Sequence, residues 1–304
     1  MPPSIPTPGA ARDRLGYFNW LYNPFQRLKV TEVYDLLGTD VATENAFYLN
    51  LGYWSEGALA DDRSLDDACQ ALAALVADSA GMGPGDRVLD VGFGFADQDL
   101  FWLDVYRPDG IVGLNVTASQ VEVARRRVRE AGLEDRIDLR LGSATAMPLE
   151  DASVDKVVAL ECAFHFETRE RFFQEARRVL RPGGRLVLAD IIPMPAESGW
   201  WARLAQRWSW RQVARKFAIP AGNVYPLPEY VAKLKAAGFE NARVDSIRER
   251  VYAPLHEYLR RHPEAVARLH PSARLPIALA LKLDARTVYR GLDYVLTVAD
   301  KPSA

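Results

Sequence analysis

Residues 88–97 read Val-Leu-Asp-Val-Gly-Phe-Gly-Phe-Ala-Asp, and no other stretch limits the possible folds of this chain so tightly. The run from Arg87 to Val91 predicts a short buried strand that breaks into a glycine-rich turn and then a helix. Gly92 and Gly94 lack a Cβ, so the turn can be sharp and a ligand can lie against bare backbone. The spacing is G-x-G-x-A, with Asp90 two residues ahead of the first glycine. A dinucleotide fingerprint would be G-x-G-x-x-G, with its acid about 20 residues further on. An acid at the end of the strand itself favours a cationic or amine-bearing nucleoside over a pyrophosphate.

A chain of 304 residues can bury one large core, or one core with a modest insertion. Its net charge of −2 argues against nucleic-acid binding, and no apolar run is long enough to span a membrane. Residues 1–10 are proline-rich, lack the apolar core of a signal peptide and read as a frayed tail. Cys69 and Cys162 fall in a predicted helix and at a strand end, without metal-ligand spacing around them. The expectation is a reduced, cytoplasmic protein with no protein-held metal; a homo-oligomer is compatible with the sequence.

Residues 11–60 read as helical or irregular and end in Tyr53-Trp54, two aromatics that suit either core packing or a lid over a ligand. Ser64 and the acids after it open a helix that glycines close at 81–85. Strands are then predicted at 87–91, 111–115, 137–141, 154–160 and 185–191, with helices at 117–131 and 169–180 between them. Strands alternating with helical crossovers define an α/β fold, doubly wound about a mostly parallel sheet. Later strands at 239–247 and 293–298, split by a helical excursion, suggest an antiparallel edge that brings the sheet to seven strands. The expected organisation is a tail with lid helices (1–60), a nucleoside-binding core (61–193), an insertion over the site (194–230) and a completion of the sheet (231–304). Ligands bind where such sheets reverse strand order. That rule gathers Asp90–Ala96, Asn115, Ser143–Ala144 and Glu161–His165 around one crevice.

Val-Leu-Asp-Val-Gly-Phe-Gly (88–94), Gly-Leu-Asn-Val-Thr-Ala-Ser-Gln (113–120), Gly-Ser-Ala (142–144) and Leu-Arg-Pro-Gly-Gly-Arg-Leu (180–186) follow in an order and spacing that resemble the class I S-adenosylmethionine-dependent methyltransferases, a Rossmann-like fold. The resemblance implies that Tyr53, Asp90, Gly92, Gly94, Asn115, Gln120, Ser143, Ala144 and Glu161 bind S-adenosylmethionine. Asn115 stands where the family usually has a ribose-gripping acid, and Ser143 where it often has Asp; both side chains can still hydrogen-bond. Residues 50–54, 98–102 and 190–193 look like the small-molecule, natural-product branch, which includes macrolide-sugar O-methyltransferases. Glu161-Cys162-Ala163-Phe164-His165 is similar to a Glu-x-x-x-His stretch of sterol and tocopherol C-methyltransferases.

Methyl transfer to a hydroxyl needs a base as attack occurs; methylation of an alkene leaves a carbocation that aromatic faces stabilise before a base removes a proton. Glu161, just past a buried strand, is the expected base, with His165 one helical turn on. Either residue could instead be structural. The insertion carries Trp201, Trp208 and Trp210 beside Arg203, Arg207, Arg211 and Arg215 at four-residue steps, with no acid between Glu197 and Glu229. This pattern, with Trp54, suits a ligand with an anionic head and a cation-forming body, and arginine matches phosphate oxygens. The first expectation is therefore C-methylation of a short isoprenyl diphosphate, with Mg²⁺ where the substrate is a diphosphate. The second is O-methylation of a glycosylated polyketide or macrolide. The stripe reads equally as a solvated amphipathic helix or a membrane-surface helix. His256, His262 and His270 are expected at the surface.

Overall fold

The structure is a computed structural model that describes residues 16–21, 28–37, 43, 45–55, 63–269 and 271–303. The tail at 1–10 and His270 lie outside the described residues. A first helical turn, α1 (16–21), and α2 (Val30–Leu37) precede α3 (Leu65–Ala80). Ser64 caps α3: its hydroxyl accepts from the Asp67 amide while the Asp67 carboxylate takes the Ser64 amide, satisfying two otherwise orphaned donors. Then come β1 (Arg87–Val91), α4 (Asp97–Val105), β2 (Gly110–Asn115), α5 (Ala118–Glu130), β3 (Ile137–Leu141), β4 (Val154–Leu160), α6 (Arg169–Val179) and β5 (Leu180–Pro193). The chain continues through α7 (Trp200–Lys216), α8 (Leu227–Ala236), β6 (Glu240–Ser246), α9 (Tyr252–Arg261), α10 (Pro263–Arg268), α11 (Pro271–Ala280), α12 (Ala285–Val288) and β7 (Leu292–Asp300).

The seven strands lie in the order β3-β2-β1-β4-β5-β7-β6, with only β7 antiparallel to its neighbours. Successive side chains on a strand point to opposite faces, and the two cores follow that rule. Val88, Ile111, Val158 and Val187 join α3, α4 and α5 on one face. Leu89, Val112, Val157 and Leu186 join α6 and α8 on the other. Helices on both faces explain why successive residues of β1 (88–91) and β4 (157–160) are all buried instead of alternating with exposed ones. The structure extends β5 further back than the 185–191 expected, because Leu180 already pairs with Val154 across an irregularity in the ladder.

One buried ion pair ties the second face together. The Arg169 Nε lies 2.7 Å from Asp190 Oδ2, both side chains fully buried. The remaining guanidinium nitrogens donate to the Asn223 and Ile191 carbonyls, and the Tyr230 hydroxyl donates to the same Asp190 oxygen at 3.0 Å. Helix α6, strand β5, the turn at 221–223 and α8 thus share one network. Removing one partner strands a charge in a dry interior. Asp190→Ala should therefore destabilise the fold by about 3–5 kcal/mol, whereas Tyr230→Phe, which removes one of several bonds, should cost about 1 kcal/mol. Urea denaturation of the two variants checks this.

Candidate active site

The chain lays down β1, β2 and β3 outward in one direction, then returns to place β4 on the other side of β1. A cavity of about 1030 Å³ opens at the carboxyl ends of these strands, larger than one small ligand requires. Its floor is formed by Gly92 and Gly94 after β1, Asn115–Thr117 and Gln120 after β2, Gly142–Thr145 after β3, and Glu161 and His165 after β4. The N-terminal residues Tyr34 and Leu49–Leu51 cover one side, and Trp210, Tyr252 and Tyr289 another.

Gly92 adopts φ +82°, and a Cβ there would stand 2.5 Å from the Cys162 Cβ. The glycine is required by the close approach of the β1 and β4 tips as well as by the turn. Cys162 fills the space, its thiol donating to the Val91 carbonyl at 2.8 Å.

Glu161 has a left-handed backbone, φ +53°, unusual for a residue with a side chain. Its Oε1 accepts from the Leu51 amide and from the Tyr294 hydroxyl, each at 2.6 Å. Burial raises its pKa to about 7 and the Asp190 charge adds to the rise, while those two hydrogen bonds pull the other way. A carboxylate titrating near neutrality on a cavity wall is suited to accepting a proton. The structural role also open to Glu161 is present in the same side chain, which holds the Leu51 amide.

His165 is buried, its Nε2 3.0 Å from the Tyr34 hydroxyl. Burial lowers its pKa to about 3, with the Phe217 backbone opposing. Such an imidazole is neutral at physiological pH and weakly basic, so it orients or hydrogen-bonds better than it abstracts protons.

Of the expected site residues, Gly92, Gly94, Asn115, Gln120, Ser143, Ala144, Glu161, His165, Trp210 and Arg211 all line the cavity. Seven others do not. Asp90 lies behind the wall, fully buried, and accepts from the Gln98 amide at 3.0 Å; Gln98 is the residue that faces the cavity. Burial lifts the Asp90 pKa to about 7 against the bond from Gln98, and burial together with the Asp90 charge lifts Asp99 well above the usual carboxylate range. Tyr53 packs on the core, and its amide donates to the Ala68 carbonyl. Trp54 is a core residue against Tyr258, with ring centroids 5.2 Å apart, and not a lid. Trp201, Arg203, Arg207 and Trp208 point outward on α7, because Gln206, Ser209 and Trp210 form its buried face. A helix repeats every 3.6 residues. A stripe at four-residue steps therefore winds around it, and only Arg211 and Arg215 reach the cavity. His256 is also buried, against Tyr289, contrary to its expected surface position.

The polar groups on the floor divide sharply. Asn115 spends its side chain internally, on the Thr117 amide and the Gln120 carbonyl oxygen. Ser143 is engaged by Thr145. The Gln120 Nε2 is left as a buried donor without a partner, a feature that calls for a ligand oxygen. Among the described residues no three His, Cys, Asp or Glu side chains converge as metal ligands. No described helix is long and apolar enough to cross a membrane. Sequence reasoning did not find Tyr34, Gln98 or Tyr294; Tyr294 reaches Glu161 only because β7 inserts antiparallel beside β5.

Residues 89–188 match a methyltransferase domain family. The chain is 35% identical over 316 residues to the erythromycin 3''-O-methyltransferase of Saccharopolyspora erythraea, covering 99% of this chain and 100% of that protein. It is 30% identical over 264 residues to the 27-O-demethylrifamycin SV methyltransferase of Amycolatopsis mediterranei, covering 84% and 90%. The crystal structure of geranyl diphosphate C-methyltransferase from Streptomyces coelicolor A3(2), in complex with Mg²⁺, geranyl-S-thiolodiphosphate and S-adenosyl-L-homocysteine, has a TM-score of 0.66. It covers 97% of this chain and 100% of that one at 17% identity, a likeness of fold. Fold, motifs and relatives together define an S-adenosylmethionine-dependent methyltransferase. Within that class, the chain belongs to the class I family, in the branch that acts in secondary metabolism.

The bond from Tyr294 stabilises the ionised form of Glu161. Tyr294→Phe should raise the Glu161 pKa further, by roughly one unit, and move the acidic limb of the kcat/KM profile to higher pH. A pH–rate series on the two proteins reads this directly.

Proposed function

We propose that this enzyme transfers a methyl group from S-adenosylmethionine to a hydroxyl oxygen of a glycosylated macrolide or similar polyketide, with Glu161 taking the hydroxyl proton. The observation that carries the acceptor class is similarity along the whole chain to a protein named for 3''-O-methylation of erythromycin. The roomy, largely apolar cavity supports it. Less supports an isoprenyl diphosphate, since Trp201, Arg203 and Arg207 lie away from the cavity and the likeness to the geranyl diphosphate enzyme is one of fold.

In this reading the unpartnered Gln120 amide takes a ribose oxygen, the backbone at Ser143–Ala144 lies by the adenine, and the turn at Gly92–Phe95 with Gln98 receives the methionine end. Asp90 acts through Gln98 as a positioning residue. When bound, the cofactor supplies an electrophilic methyl group. The protein's share is to hold the acceptor hydroxyl in line and to remove its proton. Glu161 does the second, with Oε1 fixed by Leu51 and Tyr294 so that its other oxygen can meet the hydroxyl. Tyr34 and His165 shape the adjoining wall.

Purified protein given S-adenosylmethionine and a panel of desmethyl macrolide glycosides should form an O-methyl product, while geranyl diphosphate, with or without Mg²⁺, should remain unmethylated. Carbon methylation of geranyl diphosphate would reverse the assignment. Glu161→Gln should lower kcat by about 100-fold or more, with the cofactor Kd by calorimetry little changed.

A further inference from the structure

The outer face of α7 leaves Trp200, Trp201, Leu204 and Trp208 in solvent, at 63%, 67%, 54% and 65% exposure. They share that face with Arg207, Arg211 and Arg215, for which no hydrogen bond or ion pair is found among the described residues. These are not the side chains of a frayed helix. The Gln206 amide donates to the Pro195 carbonyl at 2.7 Å and the Ser209 hydroxyl to the Val288 carbonyl at 2.8 Å. Gly291 lies so close beneath α7 that a Cβ would stand 2.4 Å from the Gln206 carbonyl, which fixes the helix in register.

A second segment repeats the pattern. Helix α11 and the turn after it expose Leu275, Leu279 and Leu283 beside Arg274 and Lys282. Residues 198–228 contain five Arg and Lys and no acid, and residues 265–283 contain three and no acid. Those eight cations leave 30 of the chain's 38 Lys and Arg to offset all 40 of its acids elsewhere. The charge is therefore segregated, not merely positive on one helix. The two segments border the same cavity: Arg211 and Arg215 from the first and Arg268 from the second are exposed and line it, so they stand at its mouth.

We propose that this face rests on an anionic lipid surface, with the mouth of the cavity turned towards the headgroups. Tryptophan favours the interfacial layer, arginine binds lipid phosphates, and apolar side chains between them enter the acyl boundary. An anionic layer at the cavity mouth meets arginines from both segments, although nothing in sequence links them. A two-fold dimer through the same face would set its arginines against themselves. An apolar acceptor dissolved in lipid would then reach the cavity without crossing water. The proposal does not depend on which acceptor that is.

Sedimentation with vesicles tests it, using phosphatidylcholine alone and phosphatidylcholine mixed with phosphatidylglycerol. The protein should pellet with the anionic vesicles and stay in solution with the neutral ones, and high salt should release it. Its tryptophan emission should shift to the blue on binding. The triple variant Trp200→Ser, Trp201→Ser, Trp208→Ser should bind anionic vesicles at least about tenfold more weakly while taking up S-adenosylmethionine as the parent does, which shows it folded. Failure of the parent to bind anionic vesicles overturns the proposal, as does undiminished binding by the folded triple variant. A parent dimer that the triple variant converts to monomer also overturns it, since a second copy would then cover the face. Should the triple variant fail to fold, Arg207→Gln with Arg215→Gln replaces it, and unchanged vesicle binding by that pair counts against the proposal.

Discussion

The site is held together by one carboxylate oxygen. Glu161 Oε1 accepts from the backbone of the N-terminal segment and from a hydroxyl on β7, so three stretches remote in sequence converge on one atom. The β4–β5–β7 ladder and the Asn50–Cys69 bonds already hold these stretches in place, and this oxygen ties them to one another at the strand tips. The same contact explains why a positive backbone angle persists at residue 161: the surrounding hydrogen bonds, including the Glu161 amide to the Ala189 carbonyl, over-determine it. The oxygen that organises the cavity also belongs to the side chain whose proton affinity burial has moved to neutrality. Architecture and acid–base chemistry are therefore coupled.

The sheet was legible because its physics is local. Apolar runs bounded by glycine and proline, together with a capping serine before α3, announce strands and helices that each bury on their own terms. The floor of the cavity was legible for a similar reason, since residues just past the ends of parallel strands must face the crevice. The walls were not. Trp54 and Trp201 are adjacent to other aromatics in sequence, and only the fold makes one a core residue and the other a solvent-exposed one. Asp90 looked like a ligand contact from its place before Gly92. Its strand position turns the carboxyl into the interior, and Gln98 stands between it and the cavity. Tyr294 could not have been singled out, because the register of β7 against β5 decides what it touches.

The arginine stripe gives the same lesson in reverse. Its four-residue period was real, but a 3.6-residue helix carries such a stripe around its axis. Arg203 ends on the Glu197 carbonyl, while Arg211 and Arg215 reach the rim. What matters is which positions face inward, and Gln206, Ser209 and Trp210 decide that through their contacts with the segments leaving β5 and entering β7. The chemistry suggested by counting charges therefore yields to the chemistry of the few side chains that packing delivers.

The fit of Cys162 into the space above Gly92 has a further consequence. Any protein that harbours a reactive methyl donor must keep its own nucleophiles from being alkylated. Cys162 borders the cavity, yet its sulfur is committed to the Val91 carbonyl and burial pushes its pKa well above the ordinary thiol value. The attacking species would be the thiolate, and here it is suppressed. Tight packing at the turn thus doubles as chemical self-protection, leaving the sulfur inert on the wall of the cavity.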